Sequence, residues 1–599
     1  MKRLFSLFLA LLLLSTSLLA LSSCGIEGKG AEISVYLSDE IYDFDPAMSY
    51  TDDNSVMLIS MLFEPLFTLD EDGRLQMGAA KDYYFDRETG DLYIELRESY
   101  WSGSADSRVL AGDFVYAWRR IIDPDFNSPA ATLLYDIKNA QKIKSGADGY
   151  DKYDLGVNSV DYDTIRIEFE NEDVDRDAFL RNLASVMLSP IYASNVEKGQ
   201  GDYWTKTAGT LYCNGAFKLQ QLNYIYGYLT LARNDGYHRP SGSTRAIDYY
   251  VTPALIRTIW KTDKAISKAD HLDKMYEFVE QNVVFYVGSL DWLKHDDSDT
   301  TSRADLKKVV ETVDRLSTYT YVFNHENPLF ASAEVRQILS KVIDRNQIIE
   351  DYVVFAKAAT GLLPDIMMNH TRRSSFRDYA GNLIETMSIE DAKAAIRAAG
   401  GGEGSFTITY NSDHPEEEAV AVYIRSLWIQ LGYTINIKGV SSRDLVVGES
   451  TYKDSGIQND YESGEFDVIG IDMQMMSANP LPVLATLTSN MSGNSGGMNH
   501  ANWKNTTYDS KIEEALGKTN AKERARILQE AEKLLIQDEM AVIPLYFKQT
   551  YYVQNSKLSN VDFDYNGFPV FTKAELSDYS QYFFEALQTY FFPVEEEEE

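Results

Sequence analysis

The sequence predicts an α/β protein assembled from more than one packed unit, and three observations lead there. Residues 406–438 run strand, helix, strand in close succession, the order that builds βαβ units with right-handed crossovers. Residues 91–96 alternate in a hairpin-like stretch and 157–169 read as strand, turn, strand. The chain has 599 residues, more than a single hydrophobic core usually holds at ~150 residues per domain. At 44% hydrophobic and 25% charged, its composition is that of a soluble globular protein. That composition excludes a polytopic membrane protein and a wholly disordered chain.

The elements follow in order. Residues 33–37 alternate like a strand, and Asp45-Pro46 signals a turn. Residues 55–67 are mostly apolar and lead into Leu69-Asp70-Glu71-Asp72-Gly73, where Asp-Gly marks a tight reversal. Gly90 turns the chain ahead of the alternating segment 91–96. Residues 111–122 have helical spacing stopped by Asp123-Pro124, and 157–169 read as strand, turn, strand. Farther on, 334–352 carry Val335, Ile338, Leu339, Val342, Ile343 and Ile348 on one stripe, so the segment reads as helix. Residues 389–399 form a helix ended by three glycines, 406–410 a strand, 416–431 a helix closed by Gly432, and 434–438 a strand. Residues 504–538 read as largely helical, and 541–547 return as an apolar strand.

Charge and cysteine content narrow the partners. A formal net charge of -35 repels phosphate backbones, so nucleic acid is excluded as a partner. The only cysteines are Cys24 and Cys213, too few for a disulfide framework or a Cys-rich metal site. Forty tyrosines offer flat apolar faces with polar tips, suited to varied ligand surfaces. Met1-Lys2-Arg3 followed by an almost wholly apolar run over 4–21 reads as a secretory signal, with an uncleaved membrane anchor as the alternative. Leu21-Ser22-Ser23-Cys24-Gly25 resembles the lipobox of bacterial lipoproteins. That resemblance implies removal of residues 1–23 and acylation of Cys24, and two or three acyl chains hold a protein at a bilayer where one does not. Residues 24–31 would then be a polar, Gly-rich tether.

Local catalytic signatures are absent. The seven histidines never lie within four residues of each other, so no HExxH zinc motif exists. Gly493-Asn494-Ser495-Gly496-Gly497 matches Gly-x-Ser-x-Gly but lacks the preceding apolar strand that a nucleophile elbow needs, and reads as a loop. Asp173-Val174-Asp175-Arg176-Asp177 opens like a calcium loop, yet Ala178 stands where the turn requires glycine, so an acidic loop is expected. The run 595–599 reads as a solvated acidic tail. No catalytic residue, metal or cofactor is expected.

Several segments in order carry a resemblance. Phe63-Glu64-Pro65-Leu66-Phe67 with Asp72-Gly73 comes first, followed by Tyr100-Trp101-Ser102 and Leu110-Ala111-Gly112-Asp113-Phe114-Val115-Tyr116-Ala117-Trp118-Arg119-Arg120. Asn214-Gly215-Ala216-Phe217, then Tyr321-Val322-Phe323-Asn324 and Val335-Arg336-Gln337-Ile338-Leu339-Ser340 with Ile343-Asp344-Arg345, continue it. Tyr410-Asn411, Gly464-Glu465-Phe466-Asp467-Val468 and Val542-Ile543-Pro544-Leu545-Tyr546 complete it. The set resembles the solute-binding proteins of oligopeptide ABC transporters, extracytoplasmic family 5, over residues 33 to about 555. Most of these residues read as fold rather than pocket: Trp101, Trp118, Val335, Ile338 and Leu339 as core, Asp113 as a helix N-terminal charge, and Asp344-Arg345 as a local salt bridge.

The resemblance implies a two-lobed, type II periplasmic-binding (cluster C) fold with an additional β-rich domain. Lobe I would comprise 32–70, 187–315 and 548–599, the β-rich domain 71–186, and lobe III 316–547. It implies a monomer that closes on an extended oligopeptide, pairs with its main chain, and delivers it to an ABC permease. Tyr319 and Tyr321 would lie near the crossing between lobes, and Tyr116 matches a position near the peptide backbone. In such peptide binders an aspartate eight residues past the valine of the Phe-Asp-Val motif pairs with the ligand's amino terminus, but here that count reaches Met476. Asp472 shares the strand face with Gln474 and Met476, with Met473 between them, and the four form the expected site. Either Asp472 takes over the anchoring role, or the ligand has no free amino terminus there. A binding protein for a different, non-peptide solute, a peptide-signal receptor on the same fold, and an enzyme on that scaffold are the alternative functions.

Overall fold

A computed structural model describes residues 32–37, 44–48, 53–103, 107–171, 174–198, 204–223, 228–238, 251–260, 285–287, 310–353, 355–441, 456–493 and 498–577. Cys24, the segments 1–23 and 24–31, residues 494–497 and the tail 595–599 lie outside them.

The chain opens with β1 (Glu32–Leu37), the helix Asp53–Leu62 and the small hairpin of β2 (Phe67–Leu69) and β3 (Leu75–Met77). Gly73 takes the positive φ of 71° that this hairpin's reversal needs. Then β4 (Ala80–Phe85), β5 (Leu92–Leu96), β6 (Val157–Ser159) and β7 (Thr164–Ile167) form a separate four-stranded sheet in the order β4-β5-β7-β6. The helix Ala111–Ile122 lies between β5 and β6 in the chain. Asp113 reaches back to accept the Leu110 N–H at 2.9 Å and the Trp101 indole N–H at 3.3 Å, and burial pushes its carboxyl up to about 6. Trp101 and Trp118 are buried, as expected.

One large sheet runs through the rest of the molecule. Its members are β1, β8 (Phe217–Asn223), β9 (Tyr228–Arg233), β10 (Leu255–Trp260), β11 (Phe285–Val287), β12 (Glu311–Phe323), β13 (Ala356–Ala358), β14 (Ser405–Asn411), β15 (Thr434–Val440), β16 (Val468–Gln474) and β17 (Val542–Gln554). The order is β15-β14-β16-β12-β17-β11-β1-β10-β9-β8, with β13 beside β17. β14 and β15 pair in parallel across the helix Pro415–Gln430, the crossover that the sequence pattern predicts.

The sheet is continuous, but the core is not. One hydrophobic cluster draws on residues 33–256 and 552–574, the other on 316–547. β12 and β17, each 13 residues long, link the two, and their mutual register breaks between Asp314 and Thr318 and again after Tyr319. Such irregularities bend a strand and interrupt its pairing, which suits a passage from one core to the next.

Three local expectations are corrected. The stripe over 334–352 is two helices, Ala333–Lys341 and Arg345–Asp351, because Asp344 turns extended and its side chain accepts the N–H groups of Asn346 and Gln347. Arg345 therefore makes no simple pair with Asp344. Its buried guanidinium donates to the carbonyls of Pro544 (2.7 Å), Ser340 and Ile343, closing the preceding helix. Asp175 is likewise a helix cap rather than part of an acidic loop, accepting the Ala178 N–H at the start of Arg176–Asn182. The stretch 504–538 resolves into Thr506–Leu516, Ala521–Lys533 and a π-helical turn, Leu534–Asp538.

Candidate functional site

The site forms where β12, β16 and β17 run side by side. Tyr319 lies opposite Asp472 on β16 and opposite Tyr546 on β17, and Ser317 lies opposite Gln474. Residues directly opposite share a face, so Tyr319, Asp472, Gln474 and Tyr546 belong to one side, with Lys548 two positions beyond Tyr546. Tyr319 and Tyr321 pack on that same side into the second core, and both are fully buried. Gly470 stands opposite Tyr321, where any Cβ would run into the Tyr319 hydroxyl.

A cluster of charges crosses between the two cores. The Lys548 ammonium contacts Asp472 Oδ2 and lies 3.0 Å from Asp53 Oδ2, at the first turn of Asp53–Leu62. Arg315 also contacts Asp53 and donates to Gln474 Oε1 at 3.1 Å, while the Gln474 amide donates to Asp53 Oδ1. The Arg315 guanidinium sits 4.2 Å over the Phe568 ring. Burial alone would raise the Asp53 carboxyl, but Arg315 and Lys548 outweigh it and hold it well below the usual carboxylate range. Burial alone would lower Lys548, yet Asp472 and Asp53 keep it above the ordinary lysine value. Asp53 and Lys548 are therefore each held in their charged form by their neighbours.

Glu417 lies behind it, fully enclosed. Its Oε2 accepts the Tyr319 hydroxyl at 2.8 Å and the Asn411 N–H at 3.0 Å. Burial, against an opposing pull from His414 and with a further push from Asp472, raises its carboxyl to about 8, so it is protonated at pH 7.

In front of the strand opens a small cleft of about 70 Å³, continuous with solvent, walled by residues 471–476 together with Tyr461, Leu487, Met498 and Pro129. Pro129 sits in the first half and Met476 packs against the first core, whereas Tyr461, Met475, Val483 and Leu487 belong to the second, so the cleft lies between halves. Asp472 Oδ1 is buried and has no hydrogen-bond partner. Beside the cleft the halves touch: Asn182 Oδ1 accepts from Ser477 Oγ at 3.1 Å and Asn479 Nδ2 at 3.0 Å, and the Tyr135 hydroxyl donates to Met491 Sδ at 3.5 Å.

Of the residues singled out in the sequence, Asp472, Met473, Gln474 and Met476 are brought together in the cleft wall. Met476 does not continue the face of Asp472 and Gln474. β16 ends at Gln474, the Met475 N–H bonds to Leu316 O at 2.7 Å, and Met476 packs against the first core. Tyr319 and Tyr321 are buried in the second core and are not among the residues lining the cleft. Tyr116, half-buried on Ala111–Ile122, packs on the first core and is not among the lining residues. Sequence reasoning missed Lys548, Asp53, Arg315 and Glu417. The one available signal was a lysine inside the otherwise apolar start of β17.

Among the described residues no group of His, Cys, Asp and Glu could hold a metal ion, and no helix is long and apolar enough to cross a membrane. Cys213 is buried, which pushes its thiol up to about 12 and leaves it inert.

Comparison with known proteins places this geometry. The oligopeptide-binding protein OppA of Bacillus subtilis (strain 168) is 25% identical over 570 residues, covering 91% of this chain and 94% of that protein. The structure of Listeria monocytogenes OppA bound to peptide matches with a TM-score of 0.74 at 20% identity, over 92% of this chain and 99% of that one. The unliganded open form of the periplasmic murein tripeptide-binding protein MppA matches with a TM-score of 0.54 at 22% identity, over 91% and 97%. These structures share the two-lobed type II periplasmic-binding fold. The profile of the bacterial extracellular solute-binding proteins, family 5, matches residues 94–495, and the chain belongs to that family.

Proposed function

We propose that this chain captures oligopeptides between two hinged lobes and hands them to an ABC permease, without altering them. The lobes would be 32–70 with 187–315 and 548–599, and 316–547, with 71–186 as the β-rich addition. One observation carries the reading: the cleft opens between two separate hydrophobic cores that are joined by β12 and β17, so binding can be coupled to relative motion of the halves. Relatives named as oligopeptide-binding proteins support the ligand class. The better match to a peptide-bound structure than to an unliganded open form supports a closed arrangement of the halves here.

A binding role also suits the site chemistry. Asp53 and Asp472 are each tied to a cation, and Glu417 is held protonated beneath Tyr319, so no carboxylate pair among these is free to act as acid and base. Cys24 would be acylated, leaving a monomeric protein on the outer face of the cell membrane.

A thermal-shift series with a mixed peptide library tests the reading. A ligand at ~100 times its Kd adds about 2.7 kcal/mol of stability. Stabilisation with peptides recovered intact supports capture. Recovery of cleaved peptides overturns it.

A further inference from the structure

We propose that Lys548 acts as a built-in counter-ion that makes this cleft select peptides whose amino end is neutral, the N-acylated class, over peptides with a free ammonium. The inference rests on the peptide-binding reading and narrows its ligand.

The charges at the end of the cleft already balance. Asp53 and Asp472 face Arg315 and Lys548, two against two, at contact distances and largely out of water. An ammonium arriving at Asp472 would find that carboxylate occupied and would add a second cation beside Lys548, where an uncompensated charge is costly. The remaining need of the site is a donor without charge. Asp472 Oδ1 is buried and unpartnered, while Oδ2 is taken by Lys548. An amide N–H satisfies that oxygen and leaves the charge balance untouched.

The wall next to Asp472 suits the apolar group that an acylated amine carries. Met473, Met475, Met476 and Met498 line the cleft with Val483 and Leu487. Thioethers on unbranched chains form an adaptable apolar surface that accepts an acyl group and offers nothing to hydrate an ammonium. Around Asp472 stand Lys548 and Tyr546 on β17, Arg315 and Tyr319 on β12, Asp53 on its helix, and Glu417 with Glu416 and His414 at the helix Pro415–Gln430. Glu417, which burial keeps protonated, could balance an extra cation only by releasing a proton.

The experiment uses the mature full chain and one lysine-free peptide library, prepared with free and with acetylated amino termini, and reads the bound fraction by mass. The expected result is enrichment of acetylated peptides by at least ~tenfold, which Lys548→Met abolishes or inverts by freeing Asp472 for an ammonium. Should Lys548→Met fail to fold, Lys548→Arg keeps the counter-ion and is expected to keep the preference. Free-amine peptides binding as well as acetylated ones overturns the inference while peptide capture stands. So does free-amine binding accompanied by proton release, read from calorimetry in buffers of different ionisation enthalpy. Binding of neither library overturns peptide capture, and this inference with it.

Discussion

Two carboxylates in this molecule, the enclosed Glu532 and the half-buried Asp472, face opposite fates. Glu532 is fully enclosed within one half: its Oε1 accepts the N–H groups of Leu362 and Leu363, both at 2.9 Å, and its Oε2 pairs with Arg377. Asp472 stands at the boundary between halves, with one oxygen on Lys548 and the other on nothing. A carboxylate with both oxygens engaged by its own fold is structural, since a ligand could only disturb it. One with a buried oxygen left unpartnered holds an unmet requirement, and the cleft in front of it is where a ligand meets it.

The contrast can be broken by substitution. Glu532→Ala leaves the Arg377 guanidinium buried without its counter-ion and two backbone N–H groups without acceptors, so a loss of about 3–5 kcal/mol is expected in chemical denaturation. Any folded fraction should bind peptide with unchanged affinity, and a selective loss of binding would erase the distinction. Glu417 sharpens it from the other side, being as buried as Glu532 but without a full counter-ion. Its folded carboxyl is raised to about 8 from 4.5, so the folded state holds a proton that the unfolded state has lost between those values. Its contribution is complete below pH 4.5 and declines as pH rises toward 8, by up to about 1.4 kcal/mol per pH unit. Glu417→Gln should flatten that segment of the stability profile, measured by denaturation at a series of pH values.

Asp472→Ala is expected to weaken peptide binding at least ~tenfold, about 1.4 kcal/mol, in calorimetry, because it removes the carboxylate from the cleft wall. Its effect on folding should be smaller than that of Glu532→Ala, since Lys548 keeps Asp53. Unchanged affinity removes Asp472 from the site. The smallest effect belongs to Asn182→Ala, which takes the shared acceptor from Ser477 and Asn479 where the halves touch. A shift of about 1 kcal/mol toward the open arrangement is expected, read as a larger radius in X-ray scattering without ligand.

Local pattern made some of this legible. The β14, helix, β15 unit was readable because amphipathic spacing and the glycine at 432, with its φ of 112°, bound it on both sides. The stripe over 334–352 misled because apolar spacing runs on past Asp344, whose capping side chain ends one helix geometry and begins another. Strand periodicity placed Asp472 and Gln474 in the site, and it failed at Met476 because period two holds only while β16 lasts. Lys548, Asp53 and Arg315 were invisible. Lys548 is 76 positions from Asp472 and 495 from Asp53, and no local pattern couples residues that only the meeting of two cores brings together.

Native mass spectrometry of the folded mature chain, mixed with a peptide library and then dissociated, tests the central claim most directly. The account expects one peptide per protein, released with its mass unchanged, and loss of that adduct in Asp472→Ala. A spectrum without adducts, or one showing shortened peptides, would contradict it.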